Sequence, residues 1–145
     1  MTAKHFVLKP TDASYFNVLS AIAAACTSGA LLLIGAGGLL IASVKGSRAI
    51  AIGSAVPAST ASDVLISFLS LAAAWDVGRS VGPLARGQAA RPEVVAIAVL
   101  VCLAAMLGAI ATAGVIPLLL TLASSVLALT AGLQRWRDGN TTDPR

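Results

Sequence analysis

The chain has 145 residues, room for one domain or one small bundle. Apolar residues make up 57% and charged residues 11%, with a mean hydropathy of +0.90; a soluble domain carries about 25% charge, so a water-facing fold would expose apolar patches that a bilayer covers. The net charge of +4 sits in short clusters between apolar runs, the pattern of membrane loops, which excludes the basic stripe of a nucleic-acid surface.

The first run, Tyr15 to Val44, contains no charge. It predicts a membrane span over 15–44, longer than the roughly 20 residues a crossing needs. Thr11 or Asp12 is the expected cap. A secretory leader is the rival reading, but its apolar region would be only about 7–15 residues. Inside the run lies Gly35-Ala36-Gly37-Gly38. Glycine in a membrane helix permits a kink or close helix approach. No strand precedes these glycines and no lysine follows at phosphate-loop spacing.

Ile50–Ser59 carries Gly53 and Pro57. Proline removes a backbone donor and disfavours helix before it, so this piece reads as an interfacial linker or a kinked first turn, with a re-entrant loop as the lesser alternative. Next, Thr60-x-x-Asp63 matches a capping box ahead of an apolar run. The second span is therefore expected over 61–77, with Asp63 at its positive end. Placing Asp63 at mid-membrane instead would cost about 3 kcal/mol.

Residues 78–93 form the expected polar loop, holding Arg79, Arg86 and Arg91, with Gly82-Pro83 as a turn signal. Asp76 and Arg79 are three residues apart, the spacing of an ion pair on a last helical turn. The third span is expected over 94–113, started by Pro92 and Glu93. The fourth is expected over 116–136. Gly114 and Pro117 supply the break between them, making a tight helical hairpin. Residues 137–145 read as a polar tail.

Four spans place both termini and the 78–93 loop on one side. That side carries Lys4, Lys9, Arg79, Arg86, Arg91, Arg135, Arg137 and Arg145, against Lys45 and Arg48 on the other. The positive-inside rule makes the rich side cytoplasmic. Tyr15, Phe16, Trp75 and Trp136 all fall at that same level, where aromatic rings prefer the headgroups.

Helices in lipid associate through small residues. Four-residue rows of these occur at Ala21, Ala25 and Gly29, at Ala104, Gly108 and Thr112 beside Ala105, Ala109 and Ala113, and at Ser124, Ala128 and Gly132. They serve either packing within the bundle or docking to other chains. Ser67 and Ser70 are expected to bond backbone carbonyls one turn back. Cys26 and Cys102 lie deep in apolar runs and read as buried thiols.

No catalytic constellation, metal spacing or cofactor motif is present in the sequence; its one histidine is His5. The expected fold is an all-α integral membrane protein with four transmembrane helices in two hairpins and cytoplasmic N- and C-termini. The expected role is a structural or accessory subunit working through small-residue packing, in a homo-oligomer or a larger membrane complex. The alternative is a small pore or transporter, or a holin-like oligomer, with Asp63 near the permeation path and Asp76 and Arg79 as further candidate polar sites. An enzyme of lipid-like substrate comes third. The expected partners are the lipid bilayer and other membrane chains, with no nucleic acid and no cofactor, and the expected location is a bacterial inner (plasma) membrane.

Overall fold

The computed structural model describes residues 10–112 and 114–141, with side chains over 14–110 and 114–137. It contains four helices: α1 Pro10–Ala51, α2 Ala58–Ala85, α3 Pro92–Thr112 and α4 Val115–Thr141. Each is long and apolar enough to cross a membrane. The chain is an all-α, four-helix integral membrane protein.

The helices pair as two hairpins. α1 lies along α2, and α3 lies along α4. The hairpins join mainly where α1 meets α4, whereas α2 and α3 meet only briefly. The shared core gathers at the end nearest both termini, around Ala24, Val77, Leu84, Ala98, Leu127 and Ala131. Towards the other end a cavity lies between α2 and α3.

Four expected boundaries are corrected. α1 runs well beyond 15–44 at both ends. Nothing from Pro10 to Ala51 forces a stop, because Gly35, Gly37 and Gly38 stay helical. Its 42 residues span about 63 Å at 1.5 Å per residue, twice the roughly 30 Å hydrocarbon core, so α1 projects beyond the oil. Thr11 and Asp12 lie inside its first turn rather than before it. α1 stops at Gly53, with φ +68°. The Gly53 amide bonds the Ile50 carbonyl at 3.0 Å and the Ser54 amide bonds that of Ala49 at 2.9 Å. That pair of bonds is a Schellman cap, which needs the left-handed conformation glycine tolerates. Residues 54–57 are exposed and non-helical.

α2 begins at Ala58, behind Pro57, and not at Ala61. No side chain caps it. The Thr60 amide is held by the Pro57 carbonyl at 2.9 Å, and Thr60 Oγ1 is buried without a hydrogen-bond partner. The capping box is therefore not formed. Asp63 sits further into the helix and pairs with Lys45 instead.

The 78–93 loop is also shorter than expected, since α2 continues through Gly82-Pro83 to Ala85. Proline within one turn of a helix end deletes a single bond, so the helix survives it. The stop is Gly87, with φ +75°. Its amide bonds the Leu84 carbonyl and the Gln88 amide bonds that of Pro83, both at 3.0 Å, a second Schellman cap. At the other end, the Leu118 amide reaches the Gly114 carbonyl at 3.4 Å and α4 starts across Pro117, as the hairpin reading required. α4 stays helical to Thr141, so the first residues of the expected tail are helix; residues 142–145 lie outside the described ones.

Along the α1–α2 seam the buried positions repeat every seven residues. On α1 they are Ala21, Ser28, Gly35, Ala42 and Ala49; on α2 they are Thr60, Ser67 and Ala74. A seven-residue step keeps one seam facing its partner in left-handed helix packing. All of these residues are small, so the backbones come close. A Cβ on Gly35 would stand 2.6 Å from Leu71 Cγ and 3.0 Å from the Ser67 carbonyl oxygen. Ser28 Oγ donates across the seam to the Ala74 carbonyl at 2.8 Å. Gly35 and Gly38 thus serve close approach, whereas nothing lies within 4 Å of a Cβ placed on Gly37.

Candidate functional site

The seam between α2 and α3 is where two helices of different hairpins meet only briefly. Two cavities lie along it. The first, of about 290 Å³, is lined by Asp76, Arg79, Ser80, Pro83, Gln88, Arg91, Glu93 and Val94 among others. The second, of about 600 Å³, is lined by Ile66, Leu69, Ala73, Ile97, Val101, Ala104 and Gly108, with Leu31 and Ile34 of α1 and Ile116, Pro117 and Leu120 of α4 at its back and end.

The same stripe of each helix lines both. On α2 the positions are Ile66, Leu69, Ala73, Asp76, Ser80 and Pro83; on α3 they are Val94, Ile97, Val101, Ala104 and Gly108. These advance by alternating steps of three and four, which is one helix face. The two cavities therefore lie end to end along one face, a charged mouth followed by an apolar floor, and are together called the α2–α3 groove. From Val94 to Gly108 it runs about 21 Å at 1.5 Å per residue, more than the depth of one leaflet.

The two helices come closest beneath the mouth. Ser80, Leu84, Ala90 and Val94 are buried there, whereas Ile66, Leu69, Leu100 and Ala104 are exposed further along. Ile66, Leu69, Ile97 and Val101 are bulkier than the glycine and serine through which α1 and α2 meet, and so favour a wider separation.

The mouth holds two cations and two anions. Arg79, Arg91, Asp76 and Glu93 are all exposed. The expected Asp76–Arg79 pair does not form: among the described residues the one ion pair is Lys45–Asp63, at 2.7 Å. Asp76 and Arg79 line the same pocket without touching. Trp75, two-thirds exposed, marks this level as the headgroup zone.

Asp63 stands elsewhere. It belongs to the far end of the α1–α2 hairpin, where Lys45 Nζ donates to its Oδ2, and it lines neither cavity of the α2–α3 seam. Sequence reading missed this partner because Lys45 is 18 residues away, across a turn.

The four-residue rows split between inside and outside. Ala21 is buried, but Ala25 and Gly29 are exposed, and nothing lies within 4 Å of a Cβ placed on Gly29. Ala104 is exposed and Gly108 half-buried, while the neighbouring Ala105 is buried. The Thr112 side chain lies outside the described ones, as does residue 113. Ser124 is fully buried; Ala128 and Gly132 are half-buried. The cause is geometric: at 3.6 residues per turn a four-residue step advances about 40° around the helix, so such a row walks off the seam.

Ser67 and Ser70 bond the Asp63 and Ile66 carbonyls, at 2.6 and 2.8 Å, one turn back as expected. Cys26 is not buried but exposed on the α1 surface; Cys102 is half-buried, its Sγ 3.9 Å from the Thr121 carbonyl across the α3–α4 hairpin. Among the described residues no group of three or more His, Cys, Asp or Glu side chains is placed to hold a metal ion.

Comparison with protein-family models, curated proteins and solved structures found no match to this chain.

Proposed function

We propose that the chain is a structural or accessory membrane subunit that joins other membrane chains through the outer face of α1. The observation that carries this reading is the Ala25-x-x-x-Gly29 step left exposed on that helix, with open space above Gly29. Small residues four apart let a partner helix approach to backbone distance, which is what drives association where lipid competes equally for apolar contact. The partner is a second copy or a helix of a larger complex. The charge pattern supports termini and the α2–α3 loop on the cytoplasmic side, with Tyr15, Trp75 and Trp136 all well exposed at the headgroup level of that side.

The test is purification in mild detergent with and without Gly29→Leu. The wild-type chain is expected to run as an oligomer or with a co-purifying membrane protein. The substitution is expected to reduce that association about tenfold, the effect of roughly 1.4 kcal/mol. Exposed Cys26 lies beside the step, so oxidative cross-linking in membranes reads self-association directly. A monomer without partners, for both proteins, refutes the proposal.

The pore reading draws less support from the geometry, because Asp63 is held by Lys45 and does not face the open seam.

A further inference from the structure

We propose that the α2–α3 groove is a binding site for a phospholipid of the phosphatidylethanolamine type, with one acyl chain in the apolar floor and the headgroup in the charged mouth. This goes beyond the subunit role, since neither Ala25 nor Gly29 of the α1 step lines the groove.

Two features select the occupant. The first is the polarity gradient along one face. The floor, about 600 Å³ and lined by Ile66, Leu69, Ile97, Val101 and Ala104, offers almost nothing but hydrocarbon. The mouth, about 290 Å³, begins where the floor ends, with Asp76 one turn after Ala73 on α2 and Val94 one turn before Ile97 on α3. An occupant must be apolar over about one leaflet's depth and polar at one end. A partner helix meets the first condition, but a helix continuing past the mouth would have to seat its backbone beside four charges.

The second feature is the charge set. Arg79 and Arg91 offer guanidinium donors suited to phosphate oxygens. Asp76 and Glu93 offer carboxylate acceptors in the same pocket. Arginines and carboxylates share this pocket without pairing with one another. A headgroup carrying both a phosphate and a primary ammonium satisfies all four. A phosphatidylglycerol headgroup leaves Asp76 and Glu93 facing a negative charge. A choline headgroup has a cation, but no N–H to give the carboxylates.

The experiment measures lipid binding to the purified, delipidated protein in detergent, by native mass spectrometry and by thermal shift. The probes are phosphatidylethanolamine, phosphatidylcholine and phosphatidylglycerol with identical acyl chains. Phosphatidylethanolamine is expected to bind about tenfold more tightly than either of the others, the scale of one charge-assisted hydrogen bond. Arg79→Gln and Asp76→Asn are each expected to erase that preference. Both side chains are exposed, so helix content by circular dichroism should be unchanged. Where one variant fails to fold, Arg91→Gln or Glu93→Gln provides the same readout. Ala104→Trp, which fills the floor, is expected to weaken binding of all three lipids. Equal binding of the three, a preference for phosphatidylglycerol, or a preference indifferent to the mouth substitutions overturns the proposal. None of these results bears on association through Gly29.

Discussion

α2 is flanked by two seams built on opposite principles. Against α1 it presents Thr60, Ser67 and Ala74, and α1 answers with Ser28, Gly35 and Ala42. Against α3 it presents Ile66, Leu69 and Ala73, and α3 answers with Ile97, Val101 and Ala104. The second seam is much the more apolar, yet it is the one whose helices meet only briefly. α3 is the most apolar of the four spans and the least enclosed, and α1 is the most enclosed. In water that order would be reversed. In lipid, bulk apolarity earns no contact, because acyl chains satisfy it equally; close backbone approach does.

The sharpest way to break this comparison is to make the closed seam resemble the open one. Gly35→Leu drives a side chain into Leu71 and the Ser67 carbonyl, 2.6 and 3.0 Å from the position of its Cβ. Overpacking of this kind costs about 1–3 kcal/mol. Here the upper end is expected, since part of the obstacle is backbone. The midpoint of unfolding in a detergent–dodecyl sulfate titration, followed by helix content, should fall clearly. Ala104→Leu adds similar bulk at the open seam, where Ala104 is exposed, and should move the midpoint by no more than about 0.5 kcal/mol. Equal effects at the two positions would show that the seams do not differ as described.

How much of this was readable in advance divides along the same line. Four spans, two hairpins and the break at Gly114 and Pro117 follow from the length of apolar runs, which the bilayer thickness turns into structure. Helix ends were less legible. Gly82-Pro83 and Gly87 are both turn-like in sequence, and only the conformation at Gly87 shows which one stops α2. The α1–α2 seam could have been found by looking for small residues at a spacing of seven rather than four, since Ala21, Ser28, Gly35, Ala42 and Ala49 stand in plain view. The α2–α3 groove could not. It depends on how far apart two hairpins come to rest, a tertiary quantity that no local pattern encodes. Asp76 and Arg79 were singled out as a pair, but their neighbours Arg91, at the end of the loop, and Glu93, in the first turn of α3, become visible only once the loop is folded.

A smaller effect sharpens the closed seam. Ser28 is buried and donates to the Ala74 carbonyl at 2.8 Å, a bond between helices rather than back along its own. Bonds between membrane helices average about 0.6 kcal/mol and reach about 1.7. Ser28→Ala keeps the close approach, because the replacement is no larger. The expected loss is therefore confined to the bond, well below that of Gly35→Leu. A loss matching Gly35→Leu would mean that polar bonding, not backbone proximity, holds α1 to α2.

The smallest effect belongs to the end of that hairpin, where Lys45 and Asp63 pair at 2.7 Å with their side chains 44% and 31% exposed. Exposed pairs contribute about 0–1 kcal/mol and are screened by salt. Asp63→Asn keeps the shape and removes the charge, so the unfolding midpoint should shift by about 0.5 kcal/mol or less, and less still in high salt. The same variant decides between a fastening and a permeation site. If the pair only fastens the α1–α2 turn, liposomes carrying the wild-type and Asp63→Asn proteins should show equal ion and proton leak. A leak through the wild-type protein that the substitution abolishes, with stability unchanged, would move Asp63 from the hairpin's clasp to the centre of a transport pathway and replace the accessory role with a pore.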